Sequence, residues 1–223
     1  MKINLKDTSD KFAEAHYFLE QLMLEYHNPQ PFRWNLNAFL QALRNVTFFL
    51  QHDLNEFHGF RDWYEKLQES MKNDLLLRKF RDGRNIIVKQ HNLNIKSTAH
   101  IGIYRNRKLK LAINLEIPNN IPSNQLLKTM TVKLDLIDKE HFAIGEEYGI
   151  KREWIAFELG EKNVLDLCDE AWIKIGKVLK EAHQFINVEW EIPTIHQHKS
   201  SVVNLLTETD IEPKLIKKWQ WYD

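Results

Sequence analysis

The chain is poor in residues that cross-link a fold or break up its regular structure. Its 223 residues include one cysteine, seven glycines and six prolines. A single cysteine excludes an intramolecular disulfide, and so little glycine and proline is untypical of a disordered linker. Basic and acidic residues number 31 each, so no overall charge attracts the chain to nucleic acid. We expect a globular protein in which any binding to nucleic acid depends on local basic patches.

Long apolar runs are also missing. The amino terminus lacks the apolar segment of a signal peptide, and no stretch approaches the ~18 apolar residues of a membrane span. We therefore expect a cytoplasmic protein that does not contact a membrane.

Cys168 lies among apolar residues in a helical pattern, which predicts a buried structural thiol. His196 and His198 share a face only in a strand, and no third ligand is evident, so we expect no metal and no cofactor.

Apolar residues at helical spacing fill the first 92 residues. They predict a first helix that starts at Ser9 or Asp10 and ends before Pro29. A second helix opens at Asn35, a short third helix follows Gly59, and a fourth is capped by Asn73 or Asp74. We interpret residues 1–92 as an antiparallel helical bundle.

At Asn92 the period changes from 3.6 to 2, which is typical of strands. Two alternating segments, 95–103 and 109–117, predict a hairpin joined by the polar loop Arg105–Lys108. Further strands are predicted at 130–136 and 154–157, and Asn163 opens a long helix that should rejoin the bundle. The predicted fold is α+β: a bundle over 1–92, a small antiparallel β-sheet inserted over 93–160, and a long helix with an irregular tail over 161–223.

The fourth helix carries the most informative pattern of the chain. At about 100° per residue, Phe80, Ile87 and His91 lie on one apolar face with Arg84 beside them. Lys89 lies on the opposite face. Burying an unpaired charge is costly, so this face is expected to border a polar cleft, with Gly83 at its edge allowing another backbone to approach.

Arg84 and Asn85, with His91 after six intervening residues, resemble the R-x4-6-H motif of the HEPN superfamily. The resemblance implies a HEPN-like helical bundle that dimerises through the motif helix. It also implies a metal-independent endoribonuclease, or an RNA-binding protein, in stress or defence, with 2′,3′-cyclic phosphate ends as products. Arg84 would bind the phosphate, His91 would transfer the proton and Asn85 would orient the helix or the substrate. Many relatives have the histidine at the position of Lys89, so this chain departs from the commoner spacing.

Two basic patches are candidate contacts for RNA phosphates. One includes Arg81 on the fourth helix, and the other is formed by Arg105, Arg107 and Lys108 in the hairpin loop. Both also fit ordinary solvated surfaces. The alternative to an enzyme is a non-catalytic module that binds or regulates another protein, in which Arg84 pairs with an acidic residue and His91 simply ends its helix.

Overall fold

The described residues form eight α-helices and four β-strands. The computed structural model of the chain describes residues 5–133, 142–193 and 198–215. The helices are α1 (Lys6–Leu24), α2 (Pro29–Leu54), α3 (Phe60–Asn73), α4 (Leu75–Lys89), α5 (Ser123–Lys133), α6 (Val164–Phe185), α7 (Ser200–Val203) and α8 (Glu208–Ile211). The strands are β1 (Ile95–Arg105), β2 (Lys108–Ile117), β3 (Glu146–Ala156) and β4 (Leu205–Thr207). The predicted α+β class with a small antiparallel sheet is confirmed.

The main core lies between α1, α2, α4 and α6. Phe12 of α1 stacks on Trp172 of α6 with ring centroids 4.4 Å apart, and Phe39 of α2 meets Phe80 of α4 edge to face. The side chain of Asn163 accepts from the backbone N–H of Leu165 and caps α6, as the sequence predicts. α2 starts at Pro29, earlier than the predicted Asn35, because a proline at the start of a helix loses no hydrogen bond.

The four strands form one antiparallel sheet in the order β2-β1-β3-β4. β1 and β2 are joined at Asn106 and Arg107, which both have positive φ, so the predicted polar hairpin loop is confirmed. One end of the sheet enters the main core through Ile95 and Trp154. The remainder packs on α5 in a second, smaller core that contains Leu127. The sheet is thus anchored to the bundle at one end and covered by its own helix further out.

Two strand predictions need correction. The part of the predicted strand 130–136 that is described lies in α5, because Leu127 and Met130 pack toward the second core at helical spacing; residues 134–136 lie outside the described residues. The strand predicted at 154–157 instead starts at Glu146. The sequence does not indicate the first part of this strand, because the buried side chains of Glu147 and Arg152 interrupt the apolar alternation.

Arg152 is fully buried and fastens the sheet to its neighbours. Its guanidinium donates to the Oγ of Ser97 at 2.8 Å, to the carbonyl of Ile121 at 2.8 Å and to the carbonyl of Pro118 at 3.0 Å. It also lies 3.9 Å from the ring centroid of Trp154. Burial lowers the pKa of Arg152 to about 10, which still leaves it charged at neutral pH. The buried charge therefore holds the β2–α5 connection against β3.

Candidate functional site

The structure separates the residues of the predicted Arg–His pair. α4 ends at Lys89, so His91 lies beyond the helix, exposed, with its Nδ1 2.7 Å from the carbonyl oxygen of Asn92. The chain leaves the helix because Leu93 turns back into the core and comes near Gly83. The expectation that His91 shares the apolar face of α4 is therefore wrong.

The rest of the predicted α4 face is confirmed. Phe80 and Gly83 are buried, Ile87 is packed against the core, and Lys89 is exposed. A Cβ added to Gly83 would lie 2.8 Å from the side chain of Leu159, so the close neighbour at this glycine is a side chain and not the predicted second backbone. This face packs within its own chain, so it is not available as the predicted dimer interface. Dimerisation itself stays a prediction.

Arg84 stays half-buried on α4. Its Nη1 donates a long hydrogen bond of 3.4 Å to the side chain of Asn85. Its Nε is buried and has no hydrogen-bond partner among the described residues. The expected alternative, a pair between Arg84 and an acidic side chain, is absent from the salt bridges of the described part of the chain.

The two predicted basic patches lie apart. The hairpin loop is ten residues along β1 from Ile95, or roughly 33 Å at about 3.3 Å per residue, whereas Arg81 belongs to α4. Arg107 donates to both carboxylate oxygens of Asp210, at 2.9 and 3.0 Å, and to the carbonyl of Leu205. Arg105 is opposite Glu146 in the sheet register. Lys108 is exposed, but the loop as a whole is partly neutralised and does not extend the α4 patch.

A cleft lies between α2, α3 and α4, bordered by one residue of α6. It encloses about 170 Å³. Six of its thirteen lining residues are apolar: Leu40, Leu43, Met71, Leu77, Phe80 and Ile175. Thr47, Tyr64 and Gln68 add polar groups. Of the α4 face predicted to border a polar cleft, Phe80 lines this cleft, whereas Arg84, Ile87 and His91 are not among its lining residues. The predicted polar cleft beside Arg84 is therefore not confirmed.

Four cations surround this cleft: Arg44, Lys72, Arg78 and Arg81. None of the described residues that line it is acidic. Burial lowers the pKa of Arg44, as do the charges of Arg84 and Arg81, while Tyr64 opposes them. Arg44 is held in place by a hydrogen bond to the Oγ1 of Thr47 and by the ring of Phe48, 4.2 Å away. The cleft thus joins an apolar floor to a cationic rim.

A second cluster of polar side chains joins α1 to the segment before α7. His16, Glu20 and His198 each offer one potential metal-ligand atom, and these three atoms lie within 4.8 Å of one another. His196, the other histidine of the predicted pair, lies outside the described residues. The two histidines of the cluster are 182 positions apart, which explains why the sequence showed no third ligand beside His198. The spacing of His16 and Glu20, four residues apart in a predicted helix, was the available signal.

Comparison with known proteins assigns the family. A family profile described as Bacteriophage lambda protein ea47 matches residues 2–211. The chain is 34% identical to Protein ea47 of Escherichia phage lambda over 159 residues, which cover 70% of this chain and 38% of that protein. The chain therefore spans less than half the length of this curated relative.

No solved structure matches the chain. In the described part of the chain, no helix combines the length and apolar character needed to cross a bilayer.

The family match includes the segment with Arg84 and His91, and no HEPN protein is among the matches. The HEPN resemblance is therefore wrong, and the ribonuclease interpretation lacks support. The roles assigned to Arg84, Asn85 and His91 lose their basis with it. The chain belongs to the phage lambda ea47 family.

Proposed function

We propose that this chain is a protein-interaction module that holds an acidic segment of a partner protein in the cleft between α2, α3 and α4. One observation carries the proposal: the cleft has an apolar floor and four cations at its rim, and none of the described residues that line it is acidic. An acidic segment with one bulky apolar side chain matches both parts of this surface. No chemical step is involved.

The size of the cleft favours one anchoring side chain. About 170 Å³ of space is smaller than the roughly 300–1,000 Å³ of most small-molecule sites. It suits a leucine, methionine or phenylalanine side chain. Such an anchor in a desolvated pocket, with polar contacts at its margin, is the usual source of affinity in a protein interface.

The cationic rim supplies orientation and selectivity. Arg78, Arg81 and Lys72 are exposed. Arg81 also contacts Asp82 at 2.8 Å, a pair of adjacent exposed side chains that is worth little. A carboxylate that bridges two guanidinium groups gains paired, charge-assisted hydrogen bonds. It also relieves the repulsion between Arg44 and its neighbours Arg81 and Arg84.

A protein partner fits this surface better than RNA. The two aromatic residues of the lining, Tyr64 and Phe80, are 6% and 4% exposed, so they offer no face on which a base can stack. The hairpin cations lie roughly 33 Å along β1 from Ile95 and do not continue the track that an extended strand would need. RNA binding is accordingly one outcome of the test.

A displayed library of random twelve-residue peptides tests the proposal. Purified protein should enrich peptides in which aspartate and glutamate flank a single bulky apolar residue. The double variant Arg78→Glu, Arg81→Glu should lose at least about 10-fold in affinity for the enriched peptides, since the loss of even one charged contact of about 1.5 kcal/mol is tenfold. The matched control is Lys108→Glu, Lys110→Glu, an equal charge change on exposed hairpin residues, and it should bind normally.

Three results would overturn this function. The library fails to enrich any peptide, the enriched peptides lack acidic residues, or the α4 variant binds them as well as the unmodified protein does. A labelled single-stranded RNA pool is measured alongside in the same buffer. If the RNA binds more tightly than the peptides and the α4 variant abolishes that binding, the cleft is an RNA site.

A further inference from the structure

The cluster formed by His16, Glu20 and His198 has the composition of a metal site. His16 and Glu20 are four residues apart on α1, which places them on the same face of the helix. His198 arrives from the segment before α7, and the rings of the two histidines lie 5.0 Å apart at 75°. One potential ligand atom from each of the three residues lies within 4.8 Å of the others, so small side-chain rotations bring all three to one ion.

A carboxylate orients His198 from behind. Nδ1 of His198 lies 3.2 Å from a carboxylate oxygen of Asp169 on α6, and the backbone N–H of His198 donates to the same oxygen. Lys199 donates to the other carboxylate oxygen at 3.3 Å. His198 is 2% exposed. This contact fixes the ring and leaves Nε2 as the nitrogen that can bind a metal, which is the usual second-shell arrangement behind a metal-binding histidine.

One ring nitrogen of His16 lacks a hydrogen-bond partner among the described residues. This nitrogen is Nε2, which is buried. The Nδ1 of the same ring lies 3.9 Å from Glu20, too far for a hydrogen bond. A buried ring nitrogen without a partner is costly unless something binds it.

We propose that His16, Glu20 and His198 together bind one divalent first-row transition metal ion, with zinc the best match. Two imidazoles and one carboxylate are typical zinc ligands. Three protein ligands leave a fourth tetrahedral position for water. Glu20 has a side chain that is 54% exposed, which leaves the site open to solvent on one side. The ion ties α1 to the chain that follows α6.

Zinc binding to tag-free protein, treated with chelator and dialysed, tests the proposal. Calorimetric titration should show one zinc ion per chain. Titration with cobalt or copper should quench the fluorescence of Trp172, whose ring centroid lies 5.2 Å from that of His16. The same titrations with magnesium should show no binding, because magnesium prefers oxygen ligands.

Matched variants locate the ion. His16→Gln and Glu20→Gln change partly exposed side chains, so the protein should still fold, and each should weaken zinc binding at least about 10-fold. Asp169→Asn should weaken it about 10- to 100-fold without loss of the one-to-one stoichiometry. His52→Gln is the control, because that histidine is on α2 and its side chain is 81% exposed.

The proposal is overturned if the unmodified protein binds no stoichiometric zinc at tens of micromolar. It is equally overturned if zinc binding survives in both His16→Gln and Glu20→Gln, or if His52→Gln weakens it as much as they do. In those cases His16 and His198 only pack together, and Asp169 serves Lys199. Neither result bears on peptide binding in the α2–α3–α4 cleft, so the two proposals fail independently.

Discussion

Protonation of His27 should destabilise the folded chain at mildly acidic pH. His27 lies between α1 and α2, with Nδ1 2.9 Å from the Oγ of Ser123 and Nε2 2.7 Å from the carbonyl oxygen of Val203. A carbonyl only accepts, so Nε2 carries the proton and Nδ1 accepts from the serine hydroxyl. A second proton on Nδ1 would remove that acceptor and place a charge near Arg152.

The size of the effect follows from the pKa. Burial lowers the pKa of His27 from 6.5 to about 4; the bond to Val203 opposes this change, and Arg152 contributes to it. Between these two values the unfolded chain binds a proton that the folded chain does not, so the free energy of unfolding falls as pH falls. A pKa difference of this size is worth about 3 kcal/mol. This contribution is fully present above pH 6.5 and is lost as the pH approaches 4.

Urea unfolding at a series of pH values from 7 to 4 measures the loss. The reference is His27→Gln, which keeps a donor and an acceptor but does not titrate in this range. The unmodified protein should lose about 3 kcal/mol more than the variant over the series. Carboxylates and the other histidines titrate in both proteins, so they cancel in the difference. Parallel curves for the two proteins would refute the assignment of His27 as a buried neutral imidazole.

Three substitutions test other contacts. Arg152→Lys keeps the charge but cannot reach both backbone carbonyls and the serine, so urea unfolding should show a loss of about 2–3 kcal/mol; equal stability would contradict the anchoring role. Gly102→Ala would place a Cβ 2.0 Å from the carbonyl oxygen of Leu111, so the thermal midpoint should fall by at least about 6 °C; an unchanged midpoint would contradict the β1–β2 pairing. Asp74→Ala removes both the cap of α4 and the ion pair with Lys174 and should cost about 1–2 kcal/mol, whereas Asp74→Asn keeps the cap and should cost less; equal losses would exclude capping as the cause.

The sequence predicted the helices best because their buried faces are long. In α6, the apolar stripe from Val164 to Ala182 spans five turns, and its members are buried: Val164, Leu167, Cys168, Ala171, Trp172, Ile175, Leu179 and Ala182. Cys168 is among them, which confirms the prediction of a structural thiol. A period that repeats this often is hard to mistake for a strand.

The sequence-based predictions failed where the local structure depends on only one or two residues. Met130 and Val132 fit a strand as well as a helix, and only packing of Leu127 on the sheet decides between them. The helical wheel placed His91 correctly for an unbroken helix, but Leu93 ends α4 by turning into the core. Buried charges such as Arg152 hide a strand from any rule that expects apolar alternation. The division into residues 1–92, 93–160 and 161–223 stays a prediction.

The candidate sites were hidden from the sequence for a related reason. The cleft gathers Arg44 from α2 and Arg78 from α4, and the histidine cluster joins α1 to the segment before α7. Such groupings depend on how the elements pack. What the sequence does show is the basic character of α4 and the spacing of His16 and Glu20, and each of these marks half of a site.

The order of the elements along the chain affects how the chain folds while the ribosome makes it. α6 covers α1, α2 and α4, yet the ribosome makes it only after β1, β2 and β3. Residues 90–185, from the end of α4 to the end of α6, number 96 and take roughly 5–20 s to translate at about 5–20 residues per second. Until α6 emerges, Phe12 lacks its stacking partner Trp172, and the core that α1, α2 and α4 share with α6 stays incomplete. The growing chain should therefore depend on a chaperone, or on transient pairing of α1 with α2, until α6 emerges.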